Sequence, residues 1–163
     1  MRSERTGLSL AESLLAAVLL ALAVMAISMS LAAGHMQSHH AAQTGRAMRL
    51  AEELMEIILA LPYYDPQGVS LEGPEAGESG RKGFDNIDDF HGYVEPAGAV
   101  TDMAGNPYPA EYRMFRREVT TRYEKRAVSD LCCTVPGLVV TVTVRDQKGR
   151  TWQLSRFIAQ PID

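Results

Sequence analysis

Residues 5–34 read RTGLSLAESLLAAVLLALAVMAISMSLAAG, and this stretch decides how the chain is organised. Residues 13–34 carry no formal charge. At about 1.5 Å of rise per residue, a helix of that length crosses a hydrocarbon core about 30 Å thick. The sequence therefore predicts a membrane-spanning helix. A secretory signal peptide is the alternative, because the small residues Ala32, Ala33 and Gly34 resemble a cleavage site, although its apolar region is usually only about 7–15 residues long.

The flanks of the apolar run predict its orientation. Arg2 and Arg5 precede it, and basic residues next to a membrane helix tend to stay in the cytoplasm. We therefore expect a single-pass protein with a short cytoplasmic amino terminus and an extracytoplasmic carboxy-terminal domain.

Glu12 is the one charged residue between Arg5 and Arg46. A carboxylate costs about 2.5–3.5 kcal/mol at the centre of a bilayer and less near its surface. Two interpretations stay open at this point: Glu12 is solvated at the interface, or it has a specific partner in the membrane.

The residues around Glu12 carry a family resemblance. The sequence RTG-LSLAE, followed by an apolar helix, resembles the class III signal of type IV pilins and type II secretion pseudopilins. That signal has a short basic leader ending in glycine, then an apolar residue, with glutamate as the fifth residue of the mature chain. Here the leader is 1–7, the junction is Gly7/Leu8, and Leu8 replaces the commoner phenylalanine.

The resemblance implies processing and assembly. A prepilin peptidase would cleave between Gly7 and Leu8 and methylate the new amino group of Leu8. Buried opposite charges are tolerable as a pair, so Glu12 would pair with the Leu8 amine of a neighbouring subunit. The implied partners are that peptidase, other pilin or pseudopilin subunits, an inner-membrane assembly platform and membrane lipid. The implied location is the inner membrane, and a type IV pilus or a secretion pseudopilus after assembly.

The helical pattern continues beyond the membrane segment. Ala47, Ala51, Leu54, Ile58 and Leu61 recur at helical spacing, and the next proline is at position 62. One helix is therefore predicted over 8–61, with a membrane-spanning and assembly half at 8–34 and an amphipathic half at 35–61.

Residues 62–163 are predicted to form an extracytoplasmic, β-rich domain. A strand is predicted around 90–94, and 115–123 places Phe115, Val119 and Tyr123 on one side. Residues 140–144 alternate valine with threonine, 146–149 form a hairpin loop, and 151–159 return with Trp152 and Leu154 inward. The predicted fold class is α+β, pilin-like, with the long helix packed on a small antiparallel sheet.

Two candidate sites lie in the β-rich domain. Asp85, Asp88 and Asp89 supply oxygens of the kind that calcium binds, although their spacing is not that of an EF-hand loop and turn formation is the alternative. Cys132 and Cys133 are adjacent, and either a disulfide or two ordinary thiols is compatible with the sequence. No cofactor is expected apart from calcium at Asp85, Asp88 and Asp89.

Other functions are disfavoured by composition. The net charge is −4 and the basic residues form no long run, so nucleic acid is not expected as the main partner. No local catalytic motif is present, and we expect no enzyme. Two alternatives to a filament subunit stay open: an uncleaved single-pass protein that presents a β-rich binding domain, and a minor pilin with an adhesion or DNA-uptake role.

Overall fold

The computed structural model describes residues 9–68, 73–128 and 133–162 of the chain. The chain divides into two compact units, Met1–Gln43 and Thr44–Asp163. The elements, in chain order, are helix α1 (Leu10–Leu59), a 3₁₀ turn (Asp88–Phe90), strand β1 (Val94–Glu95), a 3₁₀ turn (Ala110–Tyr112), and strands β2 (Phe115–Val128), β3 (Cys133–Asp146) and β4 (Thr151–Ala159).

Helix α1 ends two residues earlier than predicted. The backbone N–H of Ala60 donates to the carbonyls of both Glu56 and Ile57, at 3.1 and 3.3 Å, and that of Leu61 donates to Ile58 at 3.1 Å. This tightened last turn precedes Pro62, which cannot continue the helix. The predicted first residue, Leu8, lies outside the described residues.

The four strands form one antiparallel sheet in the order β1-β2-β3-β4. Val142 of β3 pairs with Val119 of β2 on one side and with Leu154 of β4 on the other. The hairpin between β3 and β4 turns at Gly149, whose φ of 81° favours glycine. The prediction of an α+β fold, a long helix with a small antiparallel sheet, is confirmed.

The strand bounds differ from those predicted. Of the segment predicted as a strand at 90–94, only Val94 belongs to β1, because Asp88–Phe90 forms a 3₁₀ turn and Gly92 has a φ of 73°. Gly92 and Tyr93 still bond to the backbone of Val119 on β2, at 3.1 and 2.9 Å. Strand β3 begins well before 140 and runs through Pro136. Pro136 pairs in register with Lys125 of β2, but its carbonyl accepts the N–H of Gln160 at 2.9 Å, so its missing N–H would face the β4 side and not β2. Because β4 pairs with β3 only from Gly137 onwards, no bond between the two strands is interrupted.

The core of the second unit lies between the carboxy-terminal part of α1 and the sheet. Ala47, Ala51, Leu54 and Ile58 are fully buried as predicted, whereas Leu61 is only partly buried and packs at the edge. The inner face of β3 is formed by every second side chain, and these are Leu138, Val140, Val142 and Val144. Helical and strand periodicities thus bring two apolar faces together.

A charged group also lies in this core. Arg117 of β2 is fully buried, and its Nε donates to Oε2 of the buried Glu95 at 2.6 Å. Its two terminal nitrogens donate to the carbonyls of Leu50 on α1, at 3.0 Å, and Thr101, at 2.7 Å. The guanidinium therefore joins the helix, β1, β2 and the loop after β1. Tyr123, predicted on the inner side with Phe115, is 48% exposed.

Candidate functional site

The amino-terminal segment of α1 is apolar and exposed. All the large apolar side chains of residues 10–31 expose between 54% and 80% of their surface. The helix near the amino terminus is long and apolar enough, by length and composition, to cross a membrane. An exposed apolar surface of this extent is typical of a segment covered by lipid or by other chains.

Serine hydroxyls in this segment are satisfied within the helix. Ser28 donates to the carbonyl of Val24 at 2.8 Å, and Ser30 donates to that of Ala26 at 2.9 Å. In hydrocarbon, a polar group without a partner is costly. These two polar residues are therefore compatible with an apolar environment.

Glu12 forms a reciprocal capping box with Ser9 at the start of the helix. The backbone N–H of Ser9 donates to Oε2 of Glu12 at 2.8 Å, and the N–H of Glu12 donates to Oγ of Ser9 at 3.3 Å. The two bonds satisfy donors that a helix start leaves without partners. The Ser-x-x-Glu spacing of residues 9–12 is the sequence signal for this capping role. The predictions above for Glu12 concerned only its place at the membrane and its partner in assembly.

The capping box leaves the Glu12 carboxylate able to accept further donors. Oε2 accepts the Ser9 amide, while the carboxylate as a whole is exposed and can accept further donors. Gly7 and Leu8, the predicted cleavage and methylation positions, lie outside the described residues. Their roles stay predictions.

The acidic loop at 85–89 is organised by side-chain caps. Oδ2 of Asp89 accepts the N–H groups of Asp85 and Asn86, at 2.9 and 3.0 Å. Oδ1 of Asn86 accepts those of Asp88 and Asp89, at 2.8 and 3.2 Å. Asp88 also accepts a bond from the hydroxyl of Tyr123, at 2.9 Å. These hydrogen bonds are the ones expected if the acidic residues form a turn. The prediction that Asp85, Asp88 and Asp89 bind calcium stays a prediction.

Asp89 also belongs to a second acidic group. One carboxylate oxygen of each of Glu75, Glu78 and Asp89 lies within 4.8 Å of the others. The pKa of Glu75 is raised to about 7, mainly because its carboxylate is buried and, next, because Glu78 lies beside it. Desolvation also raises the pKa of Asp85. Glu75 and Glu78 lie in a stretch rich in glycine that carries no local metal-binding motif.

Of the two adjacent cysteines, only Cys133 belongs to the described residues. Cys133 is exposed at the first position of β3, where it pairs in register with Val128. Cys132 lies outside the described residues, so the predicted choice between a disulfide and two thiols stays a prediction.

Comparisons with protein-family models, with curated proteins and with solved structures give no match for this chain.

Proposed function

We propose that the chain is a pilin-like structural subunit, processed by a prepilin peptidase and assembled into a type IV pilus or a type II secretion pseudopilus. The observation that carries the proposal is the helix start, where Glu12 is the only charge in a long, exposed apolar segment that follows a basic leader ending in Gly7. Neither lipid anchoring nor solubility requires a carboxylate at that position.

Glu12 would have one role before assembly and a second role after it. Before assembly, Ser9 and Glu12 satisfy each other's backbone donors. After cleavage, the amine of Leu8 would be available in a neighbouring copy, and an amine removed from water needs a carboxylate partner. Pairing of Glu12 with that amine would fix the axial register between helices, as polar groups do in other helix packings.

Small residues would let the helices approach one another. Ser13, Ala17 and Ala21 recur every four residues, which places them on one face of α1. Close helix contacts in membranes favour small residues on such a face. The same segment would anchor the subunit in lipid before assembly, and the unit Thr44–Asp163 would lie outside the cytoplasm.

A pair of substitutions separates capping from assembly. Glu12→Gln keeps an oxygen that accepts the Ser9 amide but removes the charge, whereas Ser9→Ala removes the hydroxyl of the capping box and keeps the carboxylate. Both variants are expressed with the peptidase and the assembly platform, and the membrane and sheared-filament fractions are compared.

We expect both variants to be inserted and cleaved like the wild-type chain. Glu12→Gln should lower recovery in the filament fraction by at least about tenfold, which corresponds to about 1.4 kcal/mol of lost pairing. Ser9→Ala should assemble at close to the wild-type level. Equal incorporation of Glu12→Gln and the wild-type chain would contradict the proposed pairing.

A further inference from the structure

We infer that Glu75, Glu78 and Asp89 bind one calcium ion. Their carboxylate oxygens lie within 4.8 Å of one another. Calcium binds oxygen at about 2.3–2.6 Å, so two oxygens on the same ion are at most about 5 Å apart. The three carboxylates are thus already close enough to share one ion.

The burial of unpartnered oxygens points to a ligand independently of the clustering. Asp89 is fully buried, and its Oδ2 is held by two backbone N–H groups, yet its Oδ1 has no hydrogen-bond partner. Both carboxylate oxygens of Glu75 are also inaccessible and without a partner. A buried carboxylate oxygen without a donor is costly, and a bound cation would satisfy it.

The arginine nearest to this group in the sequence is directed elsewhere. Among the described residues, no salt bridge reaches Glu75, Glu78 or Asp89. Arg81, three residues after Glu78, donates instead to the carbonyl of Asp102 at 2.5 Å and lies 3.7 Å from Glu95. In the part of the chain that the structure describes, no salt bridge therefore neutralises this acidic group, which leaves it open to a cation from solution.

The backbone holds these ligands in place before an ion arrives. Oε2 of Glu78 accepts the N–H of Glu75 at 3.0 Å, and the N–H of Glu78 donates to the carbonyl of Glu75 at 3.1 Å. The turn at 75–78 is therefore closed on itself, and Asp89 is fixed by the caps at 85–86. Side chains that are ordered in advance lose less entropy on binding.

The ligand chemistry favours calcium over magnesium and transition metals. All three ligands are carboxylates, without histidine or cysteine, and hard oxygen ligands suit calcium, magnesium and manganese. Calcium accepts irregular arrangements of 6–8 oxygens, whereas magnesium demands a nearly ideal octahedron. Three carboxylates on one side would leave the remaining calcium positions to water or to second carboxylate oxygens.

This site differs from the one predicted from the sequence alone. Asp89 is common to both, but Glu75 and Glu78, rather than Asp85 and Asp88, group with it within 4.8 Å. Asp85 accepts a bond from Nε2 of Gln67 at 2.5 Å on Oδ2, and its buried Oδ1 has no hydrogen-bond partner. Asp88 instead accepts the hydroxyl of Tyr123. The two ligand sets therefore make opposite predictions for substitutions at positions 75 and 88.

Calcium titration of the full-length chain in detergent tests the inference. The chain is freed of metal with a chelator, and calcium and magnesium are titrated separately by calorimetry. We expect one calcium ion per chain, with a Kd of about 10⁻⁴–10⁻³ M, the range of extracellular calcium modules, and weaker binding of magnesium. Glu75→Gln and Glu78→Gln should each lower calcium affinity by at least about tenfold.

Asp88→Asn is the matched control, since it makes the same carboxylate-to-amide change one position from Asp89. It should leave calcium affinity within about twofold of wild type. Loss of binding in Asp88→Asn with retention in Glu75→Gln would overturn the inferred ligand set.

Stability gives a second readout that does not depend on the variants. Millimolar calcium should raise the unfolding midpoint of the wild-type chain, because an ion that binds only the folded state stabilises it. The single tryptophan, Trp152, reports this transition. The absence of both stabilisation and binding heat at millimolar calcium would overturn the inference. Filament assembly plays no part in these measurements, so their outcome is independent of the proposed function.

Discussion

Replacing Arg117 with methionine should destabilise the unit Thr44–Asp163 severely. The substitution keeps an apolar stem of similar length but removes three donors from the core. Glu95 would lose its Nε bond at 2.6 Å, and the carbonyls of Leu50 and Thr101 would lose bonds of 3.0 and 2.7 Å. Glu95 would remain buried, with the hydroxyls of Tyr93 and Thr101 as neutral donors at 3.0 Å and the guanidinium of Arg81, at 3.7 Å, as its remaining cation.

The expected loss in the free energy of unfolding is about 3–5 kcal/mol, as for other buried pairs from which one partner is removed. Most of this loss comes from removing the guanidinium that bonds Glu95 directly, which leaves the buried carboxylate only the more distant Arg81, and the two orphaned carbonyls add to it. Since small domains are stable by only about 5–15 kcal/mol, the variant should lose a large part of its stability.

Urea unfolding of the full-length chain in mild detergent measures this effect. Trp152 is the only tryptophan, and its ring packs edge-on against Phe115 with centroids 6.0 Å apart, so its fluorescence reports on the core. Arg116→Met is the matched control, because Arg116 is the adjacent arginine on the solvent face and pairs with Glu118 at 3.2 Å. An exposed pair contributes about 0–1 kcal/mol. A loss below about 1 kcal/mol in Arg117→Met, or an equal loss in Arg116→Met, would refute the reasoning.

Three further predictions concern the backbone, pH and the helix start. Gly137→Ala should lower the free energy of unfolding by about 1–3 kcal/mol in the same urea assay, because a Cβ there would collide with the backbone and an aromatic ring of β4. Gly45→Ala is the opposite case, because an added Cβ meets nothing within 4 Å. This helix substitution should raise the free energy of unfolding by about 0.5–1 kcal/mol, and a lower free energy of unfolding would contradict the comparison. Desolvation opposes ionisation of Asp146, but the hydrogen bonds and charge of Arg150 outweigh it and hold the pKa of Asp146 below its usual value. The stabilisation from this carboxylate is therefore present above about pH 4 and is lost as the pH falls through its lowered pKa in the folded chain. Asp146→Asn should flatten the acid side of a plot of unfolding midpoint against pH. An unchanged slope would contradict this prediction. Ser9→Ala should cost the helix start about 1 kcal/mol, seen as roughly fivefold faster hydrogen exchange of the first-turn amides, and unchanged exchange would contradict the capping box.

Periodicity predicted the large elements well. The spacing of Ala47, Ala51, Leu54 and Ile58 predicted the buried helix face, and the alternation from Val140 to Val144 predicted the inner face of β3. Both patterns arise from apolar side chains that must leave water on one face, so they are visible without knowledge of partners. The ends of the elements were less accurate, because they depend on hydrogen bonds such as those of Ala60 and Leu61.

The polar features were harder to predict. Arg117 shares strand parity with Phe115 and Val119, yet an arginine suggests solvent unless its partners are known. Those partners lie far along the chain: Leu50 on α1 and Glu95 on β1. The grouping of Glu75 with Asp89 likewise depends on how a loop folds back, which no local pattern specifies. By contrast, the capping box of Ser9 and Glu12 is local and could be recognised from its spacing.

The amino terminus of the mature chain tests the proposed function most directly. The full-length chain is produced in cells with an active prepilin peptidase and, as a control, with an inactive one, and is examined by amino-terminal sequencing and intact mass. The account predicts a chain that begins at a methylated Leu8 with the active enzyme and at Met1 with the inactive one. A chain that begins at Met1 in both cells, or one cut after the apolar segment near Gly34, would contradict it.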